Sequence, residues 1–448
     1  MNNPATIPSA RAALPLLGHI PLLLRDPLGF FGSLPEQGDL VRIRLGPITA
    51  VVVCDPDLTR RMLREDRVFD KGGPFYDRGR EVIGNNLVTC PSVEHRRQRR
   101  LAQPAFHHTR FPDYAEVMAD QAAAVTDGWH DGQVLEVFDE MVTITSKTLT
   151  ATMFSDALSP QVLGAALNDV RCLVDEFTRR AITPKPLRRL PTPGNRRFDH
   201  AQARLRRTLD AVTAERRATG IDHADLLSAL IAAVDTDLPD GGGFLSDTEL
   251  SNQTMMFFLA GSETTASALS WALHLVVAHP AIEERLYEEV DRVLAGHRPA
   301  HAHLPELTLT TRVITEALRL WPPAWLFTRT TTADTELGTY PIPAGTTLVY
   351  SPFLIHRNAE LYDKPETFDP DRWDPARPQP PRHAFIPFGD GPRKCIGDQF
   401  SLAEAVITLA TIFSRWRLEH LPGPPIGPAV TVTLRPRGLR MRAVARTS

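Results

Sequence analysis

Cys395 stands in Phe388-Gly389-Asp390-Gly391-Pro392-Arg393-Lys394-Cys395-Ile396-Gly397, a glycine-broken loop that presents a single thiol. Asp390-Gly391 and Pro392 favour a tight turn, and glycine lets the backbone approach a flat partner closely. Downstream, Leu402, Val406, Leu409 and Phe413 recur at helical spacing, which predicts a helix from about Asp398 to Phe413. Cys395 then lies just before a helix N-terminus, where the dipole and free N–H groups favour a thiolate. Arg393, two residues away, adds positive charge. A thiolate in this setting is suited to gripping a metal. Cys54, Cys90 and Cys172 form no C-x-x-C pair and read as ordinary buried cysteines. Four scattered cysteines argue for a reducing compartment rather than a disulfide framework.

Three further constellations have regular spacing. Glu316 and Arg319 lie three apart on one predicted helix face, close enough to pair. His95 and Arg99, four apart in Glu94-His95-Arg96-Arg97-Gln98-Arg99-Arg100, share a face of a basic helix whose remaining arginines read as solvated. In Ala260-Gly261-Ser262-Glu263-Thr264-Thr265, a glycine followed by hydroxyl residues invites a local kink, because Thr can bond back to the preceding turn. A small-residue packing notch is the alternative reading of that segment.

These residues need elements to hold them. Ser246-Asp247-Thr248-Glu249 has capping-box spacing, and helical periodicity then runs to His279 before Pro280, over thirty residues. Alternation in Val41–Leu45, the Gly46-Pro47 turn and Ile48–Val53 predict a β-hairpin with one buried face. From Pro56 helical periodicity dominates for nearly three hundred residues, broken at Gly72-Gly73-Pro74, at Pro184 to Pro193 and at a mobile loop, Asp240–Gly243. The Arg- and Pro-rich stretch Thr178–Arg197 reads as a solvated connection. Residues Thr330–Tyr350 look β-like, and the proline-rich stretch from Trp373 to Cys395 should be irregular but packed. The expected fold class is mainly α with small β-sheets near both ends. No linker divides the chain, so one domain spanning 1–448 is expected. A net charge of −3 at pH 7 gives no reason to expect nucleic acid. The apolar stretch Leu14–Leu24 is interrupted by Pro15, Gly18, His19 and Pro21; it is too short to anchor the chain in a membrane, and a cytoplasmic protein is expected.

The Cys395 loop resembles the haem-binding signature of the cytochrome P-450 family, Phe-x-x-Gly-x-Arg-x-Cys-x-Gly, at every fixed position: Phe388, Gly391, Arg393, Cys395 and Gly397. Ala260-Gly261-Ser262-Glu263-Thr264 resembles the family's Ala/Gly-Gly-x-Asp/Glu-Thr segment, and Glu316-x-x-Arg319 its Glu-x-x-Arg motif. Pro365-Glu366-Thr367-Phe368-Asp369-Pro370-Asp371-Arg372 is similar to the run that supplies a third charge. The resemblance implies the cytochrome P-450 fold, with the long central helix crossing the haem. Cys395 would be the axial iron ligand of haem b. His95, Arg99, Arg329 and Arg393 would hold the propionates. Thr264 would orient a distal water while Glu263 feeds protons from solvent. Glu316, Arg319 and Arg372 would form a buried structural network beneath the ligand loop.

A thiolate-bound haem donates electron density that favours O–O cleavage, so the implied chemistry is a monooxygenase using dioxygen and two electrons. With no Gly-x-Gly-x-x-Gly in the chain, those electrons are expected from NAD(P)H through separate partners, a ferredoxin reductase and a ferredoxin docked on basic residues near Lys394. A monomer is expected. By resemblance, the substrate pocket falls on Leu87, Val88, Phe257, Ala260, Ala324 and Leu326, with Met256 nearby. All are apolar, so a neutral, hydrocarbon-like substrate fits. Segments 321–329 and 350–353 look similar to actinobacterial members that oxidise sesquiterpenes. A peroxide-driven haem-thiolate peroxygenase and a haem gas sensor are the competing classes. The intact Glu263-Thr264 pair argues against the first, and the lack of an appended read-out segment against the second.

Overall fold

Alternation at the N-terminus builds the hairpin it predicts. Leu40–Leu45 pairs antiparallel with Ile48–Val53 in a computed structural model that describes residues 6–155, 157–183, 188, 190–235 and 243–446. The hairpin also recruits strands from far along the chain. Ile48–Val53 takes Thr347–Tyr350 as a parallel neighbour, followed by Phe327–Thr331 and the short Phe69–Asp70, giving one five-stranded sheet. A three-stranded sheet joins Val134–Glu136, Arg440–Ala445 and Trp416–His420. Most of the Asp240–Gly243 loop and part of the Pro184–Pro193 break lie outside the described residues. Within the stretch read as solvated, Arg188 is buried and bonds Glu81 at 2.7 Å. Cys54 and Cys90 are buried, whereas Cys172 is half-buried on the helix Pro160–Ile182; all four cysteines are free.

The capping box forms as the spacing demands. Ser246 Oγ accepts from Glu249 N at 3.2 Å, and Glu249 Oε2 accepts from Ser246 N at 2.9 Å. The helix that follows runs 31 residues, Asp247–Val277, and most of it is buried. Its backbone stays helical through Gly261–Thr265, so back-bonding there does not interrupt it. A Cβ on Gly261 would lie 2.9 Å from Leu149 Cδ2, so glycine lets the helix Val137–Phe154 approach closely. The packing notch is therefore real. Leu269 and Leu273 of the long helix meet Val313 and Ile314 of the helix Thr308–Leu320, and Val406, Leu409 and Phe413 of the helix Asp398–Arg415, in the largest apolar cluster. That cluster fixes the Cys395 loop against the long helix. Among the described residues, no single helix is long and apolar enough to cross a membrane.

Candidate active site

The loop before Asp398–Arg415 is shaped by two glycines in the left-handed region, Gly389 (φ 73°) and Gly391 (φ 69°). At Gly391 a Cβ would fall 2.3 Å from the Leu63 carbonyl oxygen, so no side chain fits. Cys395 N donates to Phe388 O at 2.9 Å, closing the loop. Gly397 is the N-cap of the helix, and its N–H bonds the cysteine sulfur. The thiol is exposed, but toward an internal cavity rather than the outer surface. Burial pushes its pKa up; the Gly397 N–H, Lys71 and Arg99 pull it back. Arg393 is not the charge that does so. Its guanidinium turns away to Asp70 Oδ1 (3.1 Å) and Cys90 O (2.5 Å), correcting the expectation from sequence proximity. The protein alone thus keeps Cys395 a thiol, and a bound metal ion would deprotonate it.

The cavity measures about 280 Å³, and its walls are mostly apolar. Phe388, Cys395 and Gly397 line one part of it, and Phe257, Ala260, Gly261 and Thr264 of the long helix line another. Met256 of the same helix, with Leu87, Val88 and Ala324 from other segments, completes it. Leu326 does not reach the cavity; it packs with Phe31 and Trp325 against the hairpin. Its neighbour Phe327, the first residue of its strand, lines the cavity instead, with Pro323. Successive side chains on extended backbone face opposite ways, so the expectation was off by one position.

One edge of the cavity gathers basic side chains. His95, Arg99 and Arg393 line it, and the sequence reading missed a fourth, Lys71. Arg329 is buried close by, where its charge depresses the pKa of Lys71, His95 and Arg393. Burial, then Arg393 and Arg329, hold Lys71 well below the ordinary ammonium range. The same causes, burial foremost, lower His95 to about 3. Arg329 Nε and Nη1 and Arg393 Nε have no hydrogen-bond partner. Buried like charges with unpaired donors are costly unless an anion meets them. A flat, largely apolar ligand with two carboxylates at one edge and a metal facing a thiol satisfies all of these demands, so the residues present fit haem. Lys71 follows a two-residue strand with no periodic pattern, and no signal in the sequence marks it.

Glu263 and Thr264 diverge as adjacent helical residues must. Thr264 Oγ1 faces the cavity and donates to Ala260 O at 2.8 Å. Glu263 is not among the cavity's lining residues, and its Oε1 accepts from Thr433 Oγ1 at 2.6 Å. A second carboxyl was not read from the sequence: Glu404, buried on the helix Asp398–Arg415. Burial raises its pKa to about 8; the hydroxyls of Thr265 and Thr148 moderate the rise, and Oε1 has no hydrogen-bond partner. The fold therefore favours the protonated acid. This contribution is complete below the unfolded value of roughly 4.3 and is lost as pH rises toward the folded value, at about 1.4 kcal/mol per unit. Glu404→Gln should remove this pH dependence. Thermal melts should show the variant gaining on the parent from acid to mildly alkaline pH; a constant gap would disprove the assignment.

Glu316 and Arg319 are fully buried and joined by two bonds, Nε to Oε2 at 2.8 Å and Nη2 to Oε1 at 2.7 Å. Arg372 reaches Glu316 Oε1 only at 3.5 Å. Stronger bonds come from residues the motif does not mark: Trp373 Nε1 donates to Oε2 at 2.8 Å and Asp369 N to Oε1 at 3.1 Å. On the basic helix Ser92–Ala102, Arg97 bonds Glu249 at 2.5 Å and Arg100 bonds the buried Asp235 at 2.9 Å. These two arginines tie the helix to the rest of the molecule and are not a free solvated face. Arg96 remains exposed, while Lys394 pairs with Asp398 at 2.5 Å.

Residues 8–439 match the family model described as cytochrome P-450. The chain is 45% identical over 441 residues to the pentalenene oxygenase of Streptomyces avermitilis, covering 98% of this chain and 97% of that one. It is 44% identical over 423 residues to the cyclooctat-9-en-7-ol 5-monooxygenase of Streptomyces melanosporofaciens, covering 94% and 91%. It is likewise 44% identical over 435 residues to the cyclooctatin synthase of the same organism, covering 96% and 94%. A match across nearly the whole chain carries the family's haem, cysteine thiolate and use of dioxygen with it. The chain belongs to the cytochrome P-450 family and is a haem-thiolate monooxygenase.

Proposed function

We propose that this enzyme hydroxylates a neutral terpenoid hydrocarbon or a lightly oxidised derivative of one, acting as a single-domain cytoplasmic monomer. Electrons would come from NAD(P)H through ferredoxin reductase and ferredoxin. The observation that carries the reading is the single cavity that brings together Cys395, Thr264, an edge of basic side chains and apolar walls without a charged side chain. Relatives of nearly equal length named for terpenoid oxidation support it.

Haem would be held by Cys395 Sγ, bordered by Phe388, Gly391, Gly397, Ala260 and Gly261, and anchored through its carboxylates by His95, Arg99, Arg329, Arg393 and Lys71. Once bound, it supplies the reduction of dioxygen and the insertion of one oxygen atom. The protein's share is positional. Leu87, Val88, Phe257 and Ala324 exclude water and offer no charge to a polar substrate. Because Thr264 donates its proton to Ala260 O, its oxygen is left as an acceptor that orients a water donating from the cavity side. Glu263, held off the cavity by Thr433, would renew the proton from the solvent side. Glu316, Arg319 and, at longer range, Arg372 would brace the ligand loop. Exposed Arg96 offers a cation to an acidic ferredoxin, and Lys394, on the segment that Arg99 joins by donating to Lys394 O, would add a second by exchanging its pairing with Asp398 for the partner's carboxylates.

Turnover with a surrogate ferredoxin and reductase tests this. Sesquiterpene and diterpene hydrocarbons should shift the haem spectrum on binding and yield hydroxylated product that depends on NADPH. Thr264→Ala should keep oxygen consumption but divert it to peroxide. Product per oxygen should fall about tenfold, as the loss of one positioned hydrogen bond implies. Unchanged coupling would reduce Thr264 to a packing residue. Efficient product formation from peroxide with no reductant would overturn the proposal.

A further inference from the structure

A buried glutamine extends the cavity-facing stripe of the long helix. Gln253 precedes Met256, Phe257 and Ala260 by three, four and seven residues, so it shares their face one turn before the cavity begins. It has no exposed surface. Both ends of its amide are used. Oε1 accepts from Leu87 N at 3.2 Å, and Nε2 donates to Oε1 of Gln98, also buried, at 2.8 Å. Leu87 and Val88 line the cavity, so this amide grips the backbone of a cavity wall from the long helix.

The wall segment is fixed from within as well. Asn86, fully buried, accepts from Val88 N at 3.0 Å and Thr89 N at 3.2 Å through Oδ1. Through Nδ2 it donates to Ile83 O at 3.1 Å and Gly84 O at 3.2 Å, and Thr89 Oγ1 donates to Gly84 O at 2.7 Å. Asn252, next to Gln253, adds a second tie to the helix: it donates to Asn85 O at 3.2 Å and accepts from Arg206 at 3.0 Å. Gly84, at φ 72°, passes so close that a Cβ would fall 2.1 Å from Asn252 Oδ1. Buried amides are costly unless each finds its partner, so an apolar wall that needed only bulk gives no reason for them. They hold the wall at one distance from the helix.

We propose that Gln253 is a positioning residue for substrate selectivity: its side chain sets how far the Leu87–Val88 wall stands from the long helix, and the pocket is shaped before substrate arrives. The inference rests on the reading that these two residues face the substrate over the haem. A preformed wall suits a rigid neutral skeleton, which gains affinity from fit rather than from a polar handle.

Nitrogen ligands of the haem iron read the wall without requiring the native substrate. Imidazole reports access to the iron, whereas the phenyl ring of 4-phenylimidazole must also fit the cavity. Gln253→Met keeps the volume and unbranched shape but removes both bonds. In the haem-loaded protein it should weaken 4-phenylimidazole about fivefold, the scale of one buried hydrogen bond, and leave imidazole unchanged. Gln253→Glu, kept protonated by burial at about pH 6, retains an acceptor for Leu87 N and a donor for Gln98, and should restore affinity to within about twofold. Amide exchange of the parent is an independent measure. Residues 84–90 should exchange slowly without ligand, and Gln253→Met should speed that segment alone among those lining the cavity. Equal losses for both azoles, no loss for either, or a parent segment that slows only when 4-phenylimidazole binds overturns the proposal. Failure of terpenoids to shift the haem spectrum would count against the proposed substrate class and leave the azole results untouched.

Discussion

Cys395→Ser is expected to fold and yet lose the chemistry. Serine is nearly the shape of cysteine, and the loop is set by Gly389, Gly391 and the bond from the residue 395 N–H to Phe388 O, none of which involves sulfur. What changes is the ligand. The buried site already raises the thiol's pKa with only partial compensation from Gly397, Lys71 and Arg99, so its anion depends on the metal. A far less acidic hydroxyl does not make that transition at neutral pH. Losing the anionic sulfur ligand should remove several kcal/mol of transition-state stabilisation, so turnover should fall about a thousandfold or more. The reduced protein under carbon monoxide should lack the red-shifted Soret band of sulfur ligation. Cys90→Ser is the control. That thiol is buried with a pKa pushed up to about 11, and its replacement should leave the spectrum alone. A normal carbonyl spectrum in the Cys395 variant would remove the basis of the proposed mechanism.

Local rules governed what could be read from the chain. The long helix was visible because a capping box and a proline stop are short-range signals, and the hairpin because alternation and a Gly-Pro turn are too. The Cys395 loop was legible for the same reason: its glycines are required by backbone geometry within a few residues. Features set by distant partners were not. Arg97 and Arg100 look like a solvated face until Glu249 and Asp235, more than a hundred residues on, are brought against them. Arg393 precedes Cys395 by two positions, yet its side chain is claimed by Asp70 and the Cys90 carbonyl. Leu326 and Phe327 differ only in which way extended backbone points them, and a one-residue error exchanges pocket for core. Lys71 and Glu404 are single charges whose meaning comes entirely from burial.

Arg319 gives the largest expected effect on stability, and its geometry also ranks its neighbours. The guanidinium has no exposed surface. Beyond Glu316 it donates to His356 O at 2.9 Å, Pro365 O at 2.6 Å and Thr367 O at 3.1 Å, so it ties the helix Thr308–Leu320 to the chain leading into the Cys395 loop. Arg319→Ala would leave a buried carboxylate and three carbonyls without this donor, and breaking one partner of a buried pair costs about 3–5 kcal/mol. That is a large share of the roughly 5–15 kcal/mol available to a folded domain. The variant should express mostly as haem-free or insoluble protein. Arg319→Lys keeps the charge but not the planar fork, and should recover only part of the loss. Arg372→Ala should do far less. Its contact with Glu316 is 3.5 Å long, while Trp373 and the Asp369 N–H hold the same carboxylate more closely. Trp373→Phe removes one of those short bonds and should cost about 1–3 kcal/mol. Denaturant unfolding of the soluble variants reads the order directly. If Arg372→Ala proved as damaging as Arg319→Ala, the three charges would act as one unit, and the asymmetry drawn from these distances would be wrong.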